Sequence, residues 1–424
     1  MRRITQIAGL TIAIVAVLGA CQRESAAPPA AAPGAEAAAA EEQAPAAAPA
    51  RTTAATDLEQ LATRVMTQSA AVKEGDVVLI GGRMADSELM EDLAVAARKA
   101  GAFPLITYSS DRLSKRLFFD VPAKYDSQSD ALALKLAEIA DVTIEVSNAT
   151  TENLFEGAEP ARVAARTKAF EPVQQAFARN KVRSVELGNG LYPASWRAER
   201  LGLSEAALAD LFWKGVNVDY AQLQARGEEV GKAVAAAKDV HVTHPNGTDL
   251  KFSVQGRPVL ASDGVASEAD LKRGGGALSQ YLPAGEVYTT PVPGSGEGKL
   301  VQTRGYFRGK QIDDLTLTFS AGQLTAMTGS GPGFAAFKAE YDAMDDKRKA
   351  ALAFLDFGIN PNISLPANAS VGTWVPAGSV TLGTGANVWA GGDNSVPYSL
   401  VVHLPGSTVT LDGKPVVEQG VLKL

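Results

Sequence analysis

Cysteine is nearly absent from this chain of 424 residues: it occurs once, as Cys21. A disulfide framework within one chain and any cysteine-rich zinc site are thereby excluded. Histidine is scarce as well, with His241, His244 and His403 as the whole supply. An all-imidazole metal centre would consume all three, so carboxylates must do most of the ligating in any metal enzyme built from this sequence. There is no basic excess. Lys+Arg number 40 against 47 Asp+Glu, a net charge of −7, which argues against a nucleic-acid partner held through a basic surface. Beyond the amino-terminal segment no apolar run approaches the roughly 18 residues that would span a bilayer. No Gly-x-Ser-x-Gly elbow occurs, so an α/β-hydrolase reading has no support. What is present is ordinary core material. Hydrophobic residues make up 46%, which excludes wholesale disorder, and the length suits two or three domains.

The first residues read as an address. Arg2 and Arg3 precede an apolar stretch from Ile4 to Leu18, and Gly19 and Ala20 are small. This is the order of a secretory signal, 1–20. Leu18-Gly19-Ala20-Cys21 resembles the bacterial lipobox, which implies cleavage before Cys21 and lipid on its sulfur and amine. Gln22 rather than Asp follows, which by resemblance to Gram-negative lipoproteins implies an outer-membrane anchor facing the periplasm. Residues 26–50 hold fifteen Ala and five Pro, a composition that makes a tether rather than a core. The span 21–56 is therefore read as lipidated cysteine plus linker.

From 57 to 239, helical and strand signals alternate. Strands are expected at 76–82, 103–108, 141–146 and 182–187, separated by helices, which predicts a parallel sheet with flanking helices. The Gly81-Gly82 pair lacks the rest of a dinucleotide fingerprint and reads as a strand-to-helix turn. From 240 to 424 the texture is β-rich with one helix, expected over 334–355. The fold class is thus an α/β domain followed by a β-rich α+β domain, with no internal repeat.

The most specific stretch is Tyr281-Leu-Pro-Ala-Gly-Glu-Val-Tyr-Thr-Thr-Pro-Val-Pro-Gly-Ser-Gly-Glu-Gly298. "Leu-Pro-x-Gly-Glu-Val-Tyr-x-x-Pro" followed by "Gly-x-x-x-Gly" resembles the signature of the aminopeptidase T / aminopeptidase S family of metallopeptidases. The stretch 246–254, Gly256-Arg257, Asp263-Gly264 and Asp412-Gly-Lys414 fit the same family, and 73–80 and 97–102 resemble its first domain. The resemblance implies a two-domain fold whose β-rich part holds a two-metal site, removal of N-terminal residues from short peptides, and a homodimer. Two cations a few ångströms apart polarise a peptide carbonyl and activate a bridging water.

By the resemblance, Glu286 matches the first ligand carboxylate. Asp356, in Leu355-Asp-Phe-Gly-Ile-Asn-Pro361, stands where the family has a glutamate, and His403 matches the histidine of a His-x-Asp pair. The second member of that pair is here Pro405, which binds no metal, although residues two apart in a strand share a side. Trp374 and Thr381 fall near two further ligand places. Asp393 is a candidate substitute carboxylate, set against the usual reading of Asp-Asn after glycines as a turn. His241 and His244 read as ordinary strand residues, and Tyr288 and Tyr306 as core or near-site aromatics. With three candidate ligands kept and about as many lost, the expectation is one divalent cation of zinc, cobalt or manganese type, or none, rather than a full pair. Two functions follow. One is a metal-dependent aminopeptidase-like lipoprotein; the other is an inactive peptide-binding or assembly lipoprotein that kept the fold.

Overall fold

The computed structural model describes residues 56–366, 369 and 371–424. The signal, Cys21 and the Ala/Pro tether lie outside the described residues. In chain order the strands are β1 (Val77–Arg83), β2 (Phe103–Ser109), β3 (Val142–Val146), β4 (Arg183–Leu187), β5 (Asp239–Thr243), β6 (Asp249–Ser253), β7 (Val259–Ser262), β8 (Ser279–Leu282), β9 (Glu286–Thr289), β10 (Glu297–Phe307), β11 (Lys310–Ser320), β12 (Gln323–Ser330), β13 (Leu352–Gly358), β14 (Val380–Gly385), β15 (Ser399–His403), β16 (Thr408–Leu411), β17 (Lys414–Glu418) and β18 (Val421–Leu422).

They form three sheets. The first, in order β2-β1-β3-β4-β8, is parallel throughout. Helices such as Ser87–Lys99 and Pro160–Arg179 connect its strands. The four strands expected from the sequence are all in it. The fifth, β8, comes from beyond residue 239, so the second half of the chain completes the first sheet. Pro104 is tolerated within β2 because that strand lies at the sheet edge, where a missing backbone donor costs no ladder bond.

The other two sheets are antiparallel: an eight-stranded one, β12-β11-β10-β6-β5-β16-β17-β18, and a five-stranded one, β15-β14-β13-β9-β7. The α/β half followed by a β-rich half is the architecture the sequence implied. One element differs. The helix expected over 334–355 spans only Phe334–Ala343, and Leu352–Gly358 is a central strand instead. Every residue of β13 is buried. A strand covered on both faces is a continuous apolar run without period-2 alternation, which a sequence reading cannot tell from buried helix.

Short polar caps set several helices. Ser110 accepts from Leu113 N to start Asp111–Phe119, and Asp130 accepts from Ala133 N to start Ala131–Ile139. A buried ion cluster ties the first of these to the long helix: Asp126 accepts from Arg162 Nε at 2.5 Å and from Arg166 Nε at 2.6 Å. Both guanidinium groups also lie over the Phe118 ring.

The parallel sheet also carries an unusual acid. Glu145 of β3 pairs in register with Glu186 of β4. Burial of its carboxyl, against the pull of Arg83 and with the push of Glu186, raises its pKa to about 8. In the unfolded chain a glutamate titrates near 4.3. Across the window between those values the native state holds a proton that the unfolded state has released, so this group's contribution to stability falls as pH rises through it. Glu145→Gln is therefore expected to melt higher than the parent at about pH 8, and to change less between about pH 5 and 8. Thermal melts at several pH values check this; a parent and a variant with parallel profiles would contradict it.

Candidate functional site

The signature segment is the hinge between two sheets. Residues 279–282 are the fifth strand of the parallel sheet, and 286–289 are the fourth strand of the five-stranded antiparallel one. The turn between them contains a cis Leu282–Pro283 peptide and Gly285 at φ 129. A Cβ on Gly285 would meet Asn360 Cβ at 2.6 Å and Asn360 N at 2.8 Å, so only glycine fits. Asn360 is itself fully buried and locks the turn, its Nδ2 donating to Ala284 O at 2.6 Å and to Gly215 O at 3.1 Å. Glu286 thus emerges where the carboxyl ends of the parallel strands meet the antiparallel sheet. The carboxyl ends of parallel strands are where α/β folds place their ligands. From the loop after β4, Asn189 Nδ2 reaches Pro283 O at 3.0 Å and Glu286 Oε1 at 3.4 Å.

Strand register then decides which residues share a face. Leu260 of β7 pairs with Tyr288, Tyr288 with Asp356, Asp356 with Thr381, and Thr381 with His403. Directly opposed residues of antiparallel strands present their side chains on the same side. One lateral row therefore crosses all five strands. Two residues along, Ser262, Glu286 and Gly358 form the next row on the same face. So Glu286, Asp356 and His403 all stand on one face, and Tyr288 stands with them. Glu286, Tyr288, Asp356 and Thr381 are fully buried.

They are not equally near one another. Glu286 and Asp356 are diagonal neighbours on adjacent strands, about 7–8 Å apart along the backbone. His403 is two strands beyond Asp356, about 10 Å away, and three strands from Glu286, about 14 Å. Thr381 stands between, with its Oγ1 2.9 Å from His403 Nδ1. Metal–ligand bonds are roughly 2 Å. Along the sheet Asp356 stands between Glu286 and His403. Among the described residues no group of three or more His, Cys, Asp or Glu is arranged to hold a metal ion. The donors on this face are the buried carboxylates of Glu286 and Asp356 with the hydroxyl of Thr381 and the imidazole of His403, oxygen and nitrogen groups of the kind that hard and borderline cations take.

The face is roofed. A strap at 372–376 crosses it: a Cβ on Gly372 would meet His403 Cβ at 2.7 Å, and a Cβ on Gly358 would meet Pro376 O at 2.3 Å and Trp374 O at 2.5 Å. Trp374 from this strap stacks edge-on to His403, ring centroids 5.0 Å apart, and packs on Phe354 at 5.8 Å. Trp389, from the short turn 388–390, lies against Tyr288 at 5.0 Å and Phe354 at 4.9 Å. The opposite face of this sheet is closed by the helix Tyr220–Ala236, whose Gly227 approaches Ala261 and Val287.

The remaining candidates lie elsewhere. Asp393 is exposed in the loop after the 388–390 turn. His241 Nε2 sits 2.8 Å from Asp249 Oδ1 across the β5–β6 hairpin, and His244 Nε2 sits 3.1 Å from Pro405 O. Tyr306 lies under the Arg200 guanidinium at 3.7 Å. Asn189 and Trp389 were not singled out from the sequence. Asn189 stands 97 residues before the glutamate it touches, and no local pattern connects the two.

The family described as "NicX: 2,5-dihydroxypyridine 5,6-dioxygenase" matches residues 217–424. No curated protein sequence matches the chain. Among solved structures, wild-type AmpT from Thermus thermophilus aligns over 87% of this chain and 99% of its own, at 16% identity and a TM-score of 0.63. The 2,5-dihydroxypyridine dioxygenase from Pseudomonas putida KT2440 aligns over 86% of this chain and 96% of its own, at 16% identity and a TM-score of 0.53. The chain therefore has an aminopeptidase T-like fold, one that the 2,5-dihydroxypyridine dioxygenase also shares.

Proposed function

We propose that this chain is a peptide-trimming lipoprotein of the cell envelope, anchored through Cys21, that removes N-terminal residues with the help of one divalent cation between Glu286 and Asp356. The observation that carries the reading is the shared, buried face. Glu286 and Asp356 contribute buried carboxylates to that face from adjacent strands, and carboxylate oxygens suit manganese-, zinc- or cobalt-type cations. Such an ion, when bound, supplies Lewis acidity to a peptide carbonyl and lowers the pKa of a coordinated water.

The chain's own groups have distinct tasks. Asn189 holds the Glu286 carboxylate from the side of the parallel sheet. Thr381 engages His403 Nδ1 and fixes the orientation of the imidazole. Trp374 and Trp389 exclude water from the acid pair and offer an apolar wall to the terminal side chain of a peptide.

Leucine release from a leucyl anilide by the purified protein tests this. Chelator-sensitive turnover is expected. Glu286→Gln, which keeps shape and removes charge, should lower it by more than the roughly 10- to 100-fold that loss of an outer hydrogen-bond partner costs. The family match over 217–424 favours a second reading, a dioxygenase acting on a dihydroxypyridine. Oxygen uptake with 2,5-dihydroxypyridine, in place of leucine release, would select it. A metal-free protein inert in both assays that still binds peptides would leave the non-catalytic alternative.

A further inference from the structure

The solvent face of the helix Asp111–Phe119 carries Arg112, Lys115, Arg116 and Phe119. Their spacing of three, four and seven puts them on one side of a helix. All four are exposed. The inner side is anchored independently: Phe118 is buried against Phe155, under the Arg162 and Arg166 guanidinium groups. In the next turn Lys124 and Tyr125 are also exposed, the ammonium lying over the ring at 5.0 Å. Tyr125 is 49% exposed and Phe119 37%.

The charge here runs against that of the molecule. Four cations face outward, and the acid among them, Asp120, is taken up by Arg116 at 2.7 Å. Two neighbouring acids are turned inward, while Glu156 and Glu159 nearby are exposed. Asp111 is paired with Arg83 at 3.0 Å, and Asp126 with Arg162 and Arg166. In a chain of net charge −7 this is a local reversal of sign. It is combined with two exposed aromatic rings, the side chains that settle at the level of lipid headgroups.

We infer that this basic-aromatic face, Arg112, Lys115, Arg116, Phe119, Lys124 and Tyr125, docks on the surface of an anionic bilayer. The cations meet lipid phosphates, and the two rings enter the interfacial layer. The surface acts without the lipid proposed at Cys21. It orients the folded body against the membrane rather than leaving it at the end of a tether.

The test uses the chain from Gln22 to Leu424, which retains everything after the expected cleavage site but carries no lipid. Co-sedimentation with phosphatidylglycerol-rich vesicles is compared with co-sedimentation with phosphatidylcholine vesicles. Binding is expected to the anionic vesicles and to weaken with salt. Each cation near an anionic surface is worth about fivefold in partitioning, so the triple variant Arg112→Glu, Lys115→Glu, Lys124→Glu should lose at least about a hundredfold. Phe119→Ser with Tyr125→Ser should weaken binding while keeping its salt dependence. These positions are exposed, and unchanged melting curves establish that the variants fold. Equal binding to both vesicle types, no binding to either, or undiminished binding by the triple variant would overturn the inference.

Discussion

Trp374→Ala is expected to lower the stability of the folded body by about 3–5 kcal/mol, the range for truncating a buried large aromatic side chain. Trp374 is 3% exposed and joins Phe354, Trp389 and His403 in one cluster. Its removal takes out the roof of the face as well as core volume. Two readouts should therefore move together. The midpoint of urea unfolding falls with an unchanged slope, and the face around Asp356 and His403 becomes more open to solvent. Trp374→Phe, which keeps a ring, should recover much of the stability. If Trp374→Ala unfolds at the parent's midpoint, the strap does not pack as described.

Gly358→Ala is expected to cost about 3 kcal/mol, the upper end of ordinary overpacking. A methyl group there would sit 2.3 Å from Pro376 O, 2.5 Å from Trp374 O and 2.8 Å from Val375 C. All three contacts are to backbone atoms, so no side chain can swing aside to relieve them. The strap itself would have to lift. Because Gly358 registers opposite Glu286, the same methyl group would also crowd the acid row. The effect should exceed that of Gly256→Ala, a position with nothing within 4 Å of an added Cβ but with its own positive φ of 70. Paired denaturation curves decide. Equal losses would mean that the cost at 358 is one of backbone freedom alone.

Much of this was legible in the sequence, for identifiable reasons. The alternation of helix and strand signals up to residue 187 comes from short amphipathic segments with clear stops, such as Gly101 after Ser87–Lys99. The turn before Glu286 is marked in the sequence by Pro283 and Gly285, and the glutamate itself is singled out by the resemblance of 281–298 to the family signature. Other features were hidden for physical reasons. Asp356 was placed at the end of a helix, because β13 is buried throughout and follows a true helix after a short charged stretch. Its position in the row depends on pairing with β9 and β14, and register between distant strands leaves no trace in one sequence. The Trp374 and Trp389 roof, the Asn189 contact and the entry of β8 into the parallel sheet are likewise long-range. The helix Asp111–Phe119 was passed over although Ser110 caps it, because its outer face breaks the apolar run with Arg112, Lys115 and Arg116.

The most direct test of the central claim is the metal content of the purified chain after equilibrium dialysis against a limiting divalent cation. A single bound ion per chain is expected. It should be lost to the same extent in Glu286→Gln and Asp356→Asn and retained in His241→Ala, whose ring sits on the β5–β6 hairpin beside Asp249. Two ions per chain, none, or one that survives both carboxylate substitutions would contradict a cation held between those two strands.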